Sequence, residues 1–92
     1  MTNYQRLPEH MRDAARLYIE RGIKPGDFLT ALLANDFMEA VGRADDTNLA
    51  ALGTWAKWIY NEIPRGAHGS YNHVADWCHS RQAEWRKAME GV

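Results

Sequence analysis

The chain has 92 residues and a formal net charge of −1, from 11 basic and 12 acidic residues. That length predicts a single domain over residues 1–92, whose segments below are helical, with a modest core that formation of a homo-oligomer would support. Hydrophobic residues make up 46% and charged residues 25%, which is typical of a folded protein and argues against disorder. Because basic and acidic residues are interspersed, the chain lacks the basic block that nucleic-acid binding requires, and we do not expect nucleic acid as a partner.

The cysteine content and the hydropathy of the chain indicate the cellular location in which we expect it. The only cysteine, Cys78, leaves no intramolecular disulfide and fits a reducing compartment. No apolar run reaches the roughly 20 residues of a membrane span, and the first residues lack the pattern of a signal peptide. We therefore expect a cytoplasmic protein with no membrane partner.

The first predicted element is a helix from about Pro8 to Arg21 in the segment LPEHMRDAARLYIERG. Proline suits the first helical turn, since its missing N–H has no partner there, and Gly22 is the expected terminator. Residues 1–6 precede the helix and are expected to be frayed.

The next element follows the Pro25-Gly26 turn. The segment FLTALLANDFMEAVGRA keeps a helical apolar repeat, which Asn35-Asp36 interrupts. Asp27 is a candidate N-cap for the first part, and Asp36 with Glu39 resembles a capping box for the second. The pattern favours two short helices with a bend between them.

A third helical segment begins at the N-cap candidates Asp45 and Asp46 and ends at Pro64. Its apolar stripe is expected to face the core and consists of Leu49, Leu52, Ala56, Ile59, Tyr60 and Ile63. A last helix is predicted from the N-cap Ser70 to Gly91, with one side formed by Val74, Trp77, Cys78, Arg81 and Trp85. No segment alternates with the period of a strand, so the predicted fold class is all-α, a compact bundle of four to five short helices.

The stretch PRGAHGSYNHVADWCH holds three of the four histidines and the only cysteine. On a helix, His73 and His79 point to different faces, and His73 with Asp76 leaves a divalent metal short of ligands. Cys78 lies in mid-helix, away from the helix N-terminus that favours a reactive thiolate, and fits a small buried hydrophobe. The residues predict no metal, no cofactor and no catalytic set, so we do not expect an enzyme.

The loop GAHGS allows a second interpretation. A glycine-containing loop before a helix N-terminus exposes backbone N–H groups, and Arg65, His68 and Ser70 would complete a site for a phosphate or nucleotide. The plainer interpretation is a connection between helices. A small-ligand or nucleotide-binding protein is therefore an alternative function, and a dimeric DNA-binding accessory protein is another.

The tryptophans give the main indication of function. Trp58 lies at the edge of the apolar stripe of the third segment, and Trp55 lies further round the helix. A second aromatic face on one helix is typical of an interface, since large aromatic side chains anchor partners. We expect a partner-binding surface of Trp55 and Trp58 with Asp45, Asp46 and Arg65. The alternative is that the bundle encloses this helix on two sides.

The chain also resembles a family of small uncharacterised proteins of tailed bacteriophages and prophages. The matching residues are LPEHMR, YIERGIKPGDFLTALLANDFMEA, GRADDTNLAAL, WIYNEIP, GS and VADW, and the most specific block is YIERGIKPGDFLTALLANDFMEAVGRAD. In the family pattern a tryptophan usually precedes the Gly-Ser pair, where this chain has His68. That departure argues against a role of His68 shared by the family.

The resemblance implies a phage origin and the cytoplasm of a bacterial host, and it implies no activity and no functional residue. Small phage accessory proteins often bind host proteins, including components of CRISPR and other defence systems, which is an analogy of size and source. The expected function is protein–protein binding, as a host-directed modulator or an inhibitor of a defence system such as CRISPR. The expected partner is a host protein, for example a subunit of a defence complex.

Overall fold

Helices form the whole architecture of residues 2–91, which the computed structural model describes, and no strand occurs among them. The helices are α1 (Arg12–Arg21), α2 (Asp27–Leu33), α3 (Phe37–Arg43), α4 (Asp46–Ala50), α5 (Leu52–Glu62) and α6 (Tyr71–Glu90), with short 3-10 helices at Glu9–Met11 and Arg65–Ala67. The predicted all-α bundle is confirmed.

Gly22 ends α1 and allows α6 to approach it. Its φ of 70° lies in the left-handed region, and its N–H bonds back to the carbonyls of Leu17 and Tyr18. A Cβ at this position would lie 2.6 Å from the carbonyl oxygen of Cys78 in α6. Glycine is therefore required here both by the turn and by the close contact between the two helices.

The bend predicted at Asn35-Asp36 is present. Asn35 has a φ of 63°, a conformation that asparagine tolerates better than most residues, and it separates α2 from α3. Leu29 and Leu33 of α2 are fully buried, whereas Phe37 at the start of α3 is exposed. The bend thus places the side chain of Phe37 at the surface, while Ala40 one turn later is buried.

The segment from Asp45 to Pro64, predicted as one helix, divides at Ala51. Asp45 is the N-cap as expected, because its carboxylate accepts a 2.7 Å hydrogen bond from the N–H of Asn48. The N–H of Ala51 is shared between the carbonyls of Thr47 and Asn48, a bifurcation typical of a helix end. α4 is consequently a single turn that precedes the longer α5.

One cluster of buried side chains forms the core and draws on almost every element. It includes Leu7, Ala15, Tyr18, Ile19, Phe28, Leu29, Leu33, Ala40, Trp55, Trp58, Ile63, Ala67 and Val74. Trp55 contacts Phe28 edge-on at a centroid distance of 5.7 Å and contacts Trp58 in the same way at 5.8 Å. The aromatic side chains thus join α2 and α5 at the centre of the bundle.

Residues 2–6, which were expected to be frayed, make specific contacts with the bundle, and Met1 lies outside the described residues. The carbonyl of Asn3 accepts a 2.9 Å hydrogen bond from the indole of Trp58, and its N–H donates to Glu62 at 3.0 Å. Tyr4 packs against Trp58, and Leu7 is fully buried. The segment thus supplies the cover and the hydrogen-bond acceptor for a core tryptophan.

The last helix, α6, begins as predicted at Ser70, whose hydroxyl accepts a 3.1 Å bond from the N–H of His73. Val74 is buried and Trp77 and Cys78 are partly buried, so this part of α6 packs on the bundle. Residues 82–90 are exposed on all sides. Among residues 2–91, no helix combines the length and apolar character that crossing a membrane requires.

Candidate protein-binding groove

The inner face of α5 carries the two tryptophans that were expected on the surface. Trp55 is 0% and Trp58 3% exposed. The indole N–H of Trp55 donates to the side-chain oxygen of Asn48 at 3.2 Å, and that of Trp58 donates to the carbonyl of Asn3. The prediction that Trp55 and Trp58 form a partner-binding surface is therefore wrong, because both rings and both indole N–H groups are satisfied inside the fold.

The outer face of α5 carries the apolar stripe that was expected in the core. Tyr60 is 85% exposed, Leu49 and Ala56 are also exposed, and Leu52 and Ile59 are only partly buried. Of the predicted stripe, Ile63 alone is buried. The sequence indicated correctly that this helix has two apolar faces, but the structure reverses which of them packs inside.

A groove of about 300 Å³ runs along this outer face. The residues that line it come from the α2–α3 bend, from α5 and from the loop before α6, and they are Leu32, Asn35, Phe37, Ala56, Ile59, Tyr60 and His68. Phe37 is 61% exposed. Two large aromatic side chains therefore stand on the groove walls with most of their surface in water.

The groove is electrically neutral at neutral pH. None of its lining residues is an aspartate, glutamate, lysine or arginine. Partial burial lowers the pKa of His68 from its usual value of 6.5, and the neighbouring His73 lowers it further. The polar groups of the lining are thus an asparagine amide, a phenol and a neutral imidazole, all of them able to hydrogen-bond without carrying charge.

The charged residues predicted beside the tryptophans lie elsewhere. Asp45 caps α4 and accepts a 2.9 Å bond from the ring of His10, and its pKa is lowered first by the N–H of Asn48 and next by His10. Asp46 and Arg65 are exposed. None of the three lines the groove. The structure therefore does not bring Asp45, Asp46 and Arg65 together into one surface with the aromatic residues.

The loop proposed for an anion uses its polar groups within the protein. The N–H of Gly69 donates to the carbonyl of Leu33 at 2.8 Å. The hydroxyl of Ser70 caps α6 and lies 2.7 Å from the ring nitrogen of His73. His68 lines the apolar groove instead of joining Ser70. Binding of a phosphate or nucleotide by Arg65, His68 and Ser70 stays a prediction that no contact among the described residues favours.

Phe37 is the groove residue that the sequence did not single out. Its position in the apolar repeat of α2 and α3 predicted that it would be buried in the core. Only its position immediately after the Asn35-Asp36 break indicated that it could lie at the surface. A left-handed residue two positions earlier turns the helix axis, so the apolar repeat before the break no longer predicts the buried face after it.

Residues 2–91 contain no group of three or more histidine, cysteine, aspartate or glutamate side chains placed to hold a metal ion. The geometry of the groove, an apolar and uncharged depression with aromatic walls, is suited to recognition of another apolar surface.

Comparison of the chain with protein-family models, with curated proteins and with solved structures finds no match.

Proposed function

We propose that the protein acts by binding another protein through the groove formed by Leu32, Phe37, Ile59, Tyr60 and their neighbours. The observation that carries the proposal is the outward position of the apolar stripe of α5 where it meets Phe37. Covering an exposed aromatic side chain of this size is worth about 1.5–3 kcal/mol. Two such side chains lining one groove supply the concentrated apolar contact that anchors protein interfaces.

The lining favours an uncharged apolar insert from the partner. A lysine or glutamate placed in the groove would lose hydration and find no opposite charge among the lining residues. A leucine, phenylalanine or methionine side chain carries no charge, so its burial in the groove would not incur this loss of hydration. Asn35, Tyr60 and His68 would supply hydrogen bonds at the edge of the contact.

In its specific form, the proposal is that the partner is a bacterial host protein, such as a subunit of a CRISPR or other defence complex, and that binding modulates or inhibits it. The phage-like blocks of the sequence support this choice of setting. The small size of the chain and its near-neutral charge also support action by protein–protein contact. Such contact requires neither a set of catalytic side chains nor a basic patch.

The test compares two groove variants with a control in α3, the helix that carries Phe37. Phe37→Ser and Tyr60→Ser remove the two aromatic walls, while Met38→Ser removes an exposed apolar side chain beside Phe37 that does not line the groove. Proteins captured from a bacterial lysate by each form are identified by mass spectrometry, and the partner is then purified for calorimetric titration. Each groove variant is expected to weaken binding by at least about tenfold, and Met38→Ser to leave it unchanged.

Far-UV circular dichroism and thermal melting establish that the variants keep their fold, which is expected because both aromatic side chains are largely exposed. The proposal fails if folded groove variants capture the same proteins as the unchanged chain. It also fails if Met38→Ser weakens binding as much as Phe37→Ser does.

A further inference from the structure

A second unpartnered surface lies at the C-terminal end of α6, where the helix extends past the bundle. Two contacts hold this end to the last residue of α1 and to the glycine that follows it. The side chain of Gln82 donates to the carbonyl of Gly22 at 2.8 Å, and the guanidinium of Arg21 lies 4.3 Å from the ring centroid of Trp85. Residues 82–90 are otherwise exposed, so this end of the helix receives little support from the core.

This exposed end nevertheless carries large apolar side chains. Trp85 is 44% exposed, and Met89 and Ile23 are exposed as well. They surround a hollow of about 510 Å³ whose lining consists of Arg21, Ile23, Gln82, Trp85, Arg86 and Met89, and we call this set the tail surface. It shares no residue with the groove on α5.

The charge of the tail surface is one-sided. Its lining includes two arginines and no carboxylate. Within residues 2–91, neither Arg21 nor Arg86 forms an ion pair, whereas the nearby Arg81 pairs with Glu84 at 3.1 Å. In a chain whose net charge is −1, this is a local excess of positive charge beside exposed apolar side chains.

We propose that the tail surface binds an acidic segment of another protein. An apolar side chain of that segment enters the hollow between Ile23, Trp85 and Met89, and its flanking carboxylates face Arg21 and Arg86. Arginine is suited to this role because its planar guanidinium pairs with both oxygens of a carboxylate. The two arginines favour the approach of acidic segments, and contact with the apolar side chains stabilises the bound segment.

The same surface fits other polyanions less well. Arg21 already covers one face of the Trp85 ring, so that face does not stack on a nucleotide base. Two arginines neutralise few phosphates, and a nucleic acid depends on such neutralisation for its affinity. An anionic membrane would meet only the three apolar side chains of this surface, which are too few to hold the protein in a bilayer.

The experiment selects the preferred partner chemistry without assuming a sequence. A random 12-residue peptide library is displayed and panned on the immobilised protein, and peptides that also bind the Trp85→Ala variant are removed. The peptides that remain are expected to be enriched in aspartate and glutamate around one large apolar residue. Their affinity is expected to fall by at least about tenfold for Arg86→Glu and for Trp85→Ala, and to fall with rising salt.

Two controls separate this surface from the rest of the molecule. Lys57→Glu makes the same change of charge at an exposed position of α5 and is expected to leave peptide affinity unchanged. Tyr60→Ser, which tests the groove, is expected to do the same, so that failure of one proposal is distinguishable from failure of the other.

The proposal is overturned if the peptides that depend on Trp85 are not acidic, if Arg86→Glu leaves their affinity unchanged, or if the library contains no peptide that depends on Trp85. It is also overturned if an oligothymidylate or phosphatidylserine vesicles bind this surface more tightly than the selected peptides. Self-association of the chain that Trp85→Ala abolishes, observed by sedimentation, would make a second copy the occupant and would overturn it too.

Discussion

The phenolic hydroxyl of Tyr18 donates a hydrogen bond to the carbonyl oxygen of Ala67, 2.6 Å away and 49 residues later in the chain. Both residues are fully buried. Burial is the main cause that raises the pKa of Tyr18, so the hydroxyl keeps the proton that it donates. Together with the bond from Gly69 to Leu33, this contact fixes the loop before α6 to α1 and α2.

We expect Tyr18→Phe to lower the free energy of unfolding by about 1–3 kcal/mol, because the carbonyl of Ala67 is left buried without its donor. Urea denaturation followed by circular dichroism measures the change. Tyr60→Phe is the matched control, since its hydroxyl is exposed, and its effect should stay within about 0.5 kcal/mol. Equal effects of the two substitutions would contradict the assigned role of the buried bond.

Gly22→Ala is expected to destabilise the protein by at least about 1–3 kcal/mol, since alanine is strained at a positive φ and its Cβ would meet the backbone of Cys78. Gly53→Ala in α5 should have the opposite sign. A Cβ at Gly53 has no atom within 4 Å, so alanine there should stabilise the helix by about 0.5–1 kcal/mol. Melting temperatures of the two variants measure the contrast, and a stable Gly22→Ala variant would refute the close contact of α1 with α6.

The tryptophans should divide into structural and exposed members. Trp55→Ala is expected to cost about 3–5 kcal/mol, a large part of the stability of a domain this size, because it opens a cavity at the centre of the core. Trp85→Ala removes only an exposed ring and its contact with Arg21, worth about 0.5–1 kcal/mol. Chemical denaturation of both variants tests the assignment, which is wrong if Trp85→Ala proves the more damaging.

His68 should make stability depend on pH. Its pKa is lowered in the folded protein, so below pH 6.5 the unfolded chain binds more protons than the folded one, and stability falls as the pH falls. We expect the melting temperature to rise between about pH 5.5 and 7.5 and the rise to be smaller in His68→Asn. An unchanged pH profile in that variant would show that His68 is not the group responsible. Asp45, whose pKa is lowered, adds stability that is lost only in more acidic solution, as the pH falls through its folded pKa.

Local signals in the sequence located most of the helix boundaries. Ser70 and Asp45 are N-caps because their side chains accept bonds from N–H groups three residues later, and Asn35 breaks the helix through its own backbone preference. These effects depend on neighbours in sequence and can be predicted from it. The order of residues 2–6 depends on a contact with Trp58 across more than 50 residues, which no local pattern reveals.

The candidate site was predicted only in part, for a related reason. Periodicity shows that α5 has two apolar faces, but hydrophobicity does not distinguish between them. Asn48 and Asn3, which accept the indole N–H groups, make the tryptophan face the buried one. The position of Phe37 could not be predicted either, since it depends on the angle that the Asn35 bend sets between two helices.

Because α5 has two apolar faces, hydrogen bonding helps to determine which of them is turned towards the core. Turning the helix by about 100° would bring Tyr60 inward and would carry Trp55 and Trp58 away from the core. In that competing arrangement the indole N–H groups would lose Asn48 and the carbonyl of Asn3, and the phenol of Tyr60 would enter an apolar interior. The two indole hydrogen bonds thus add to the packing of the rings in fixing how α5 is rotated, and a variant without them would be expected to hold that rotation less firmly.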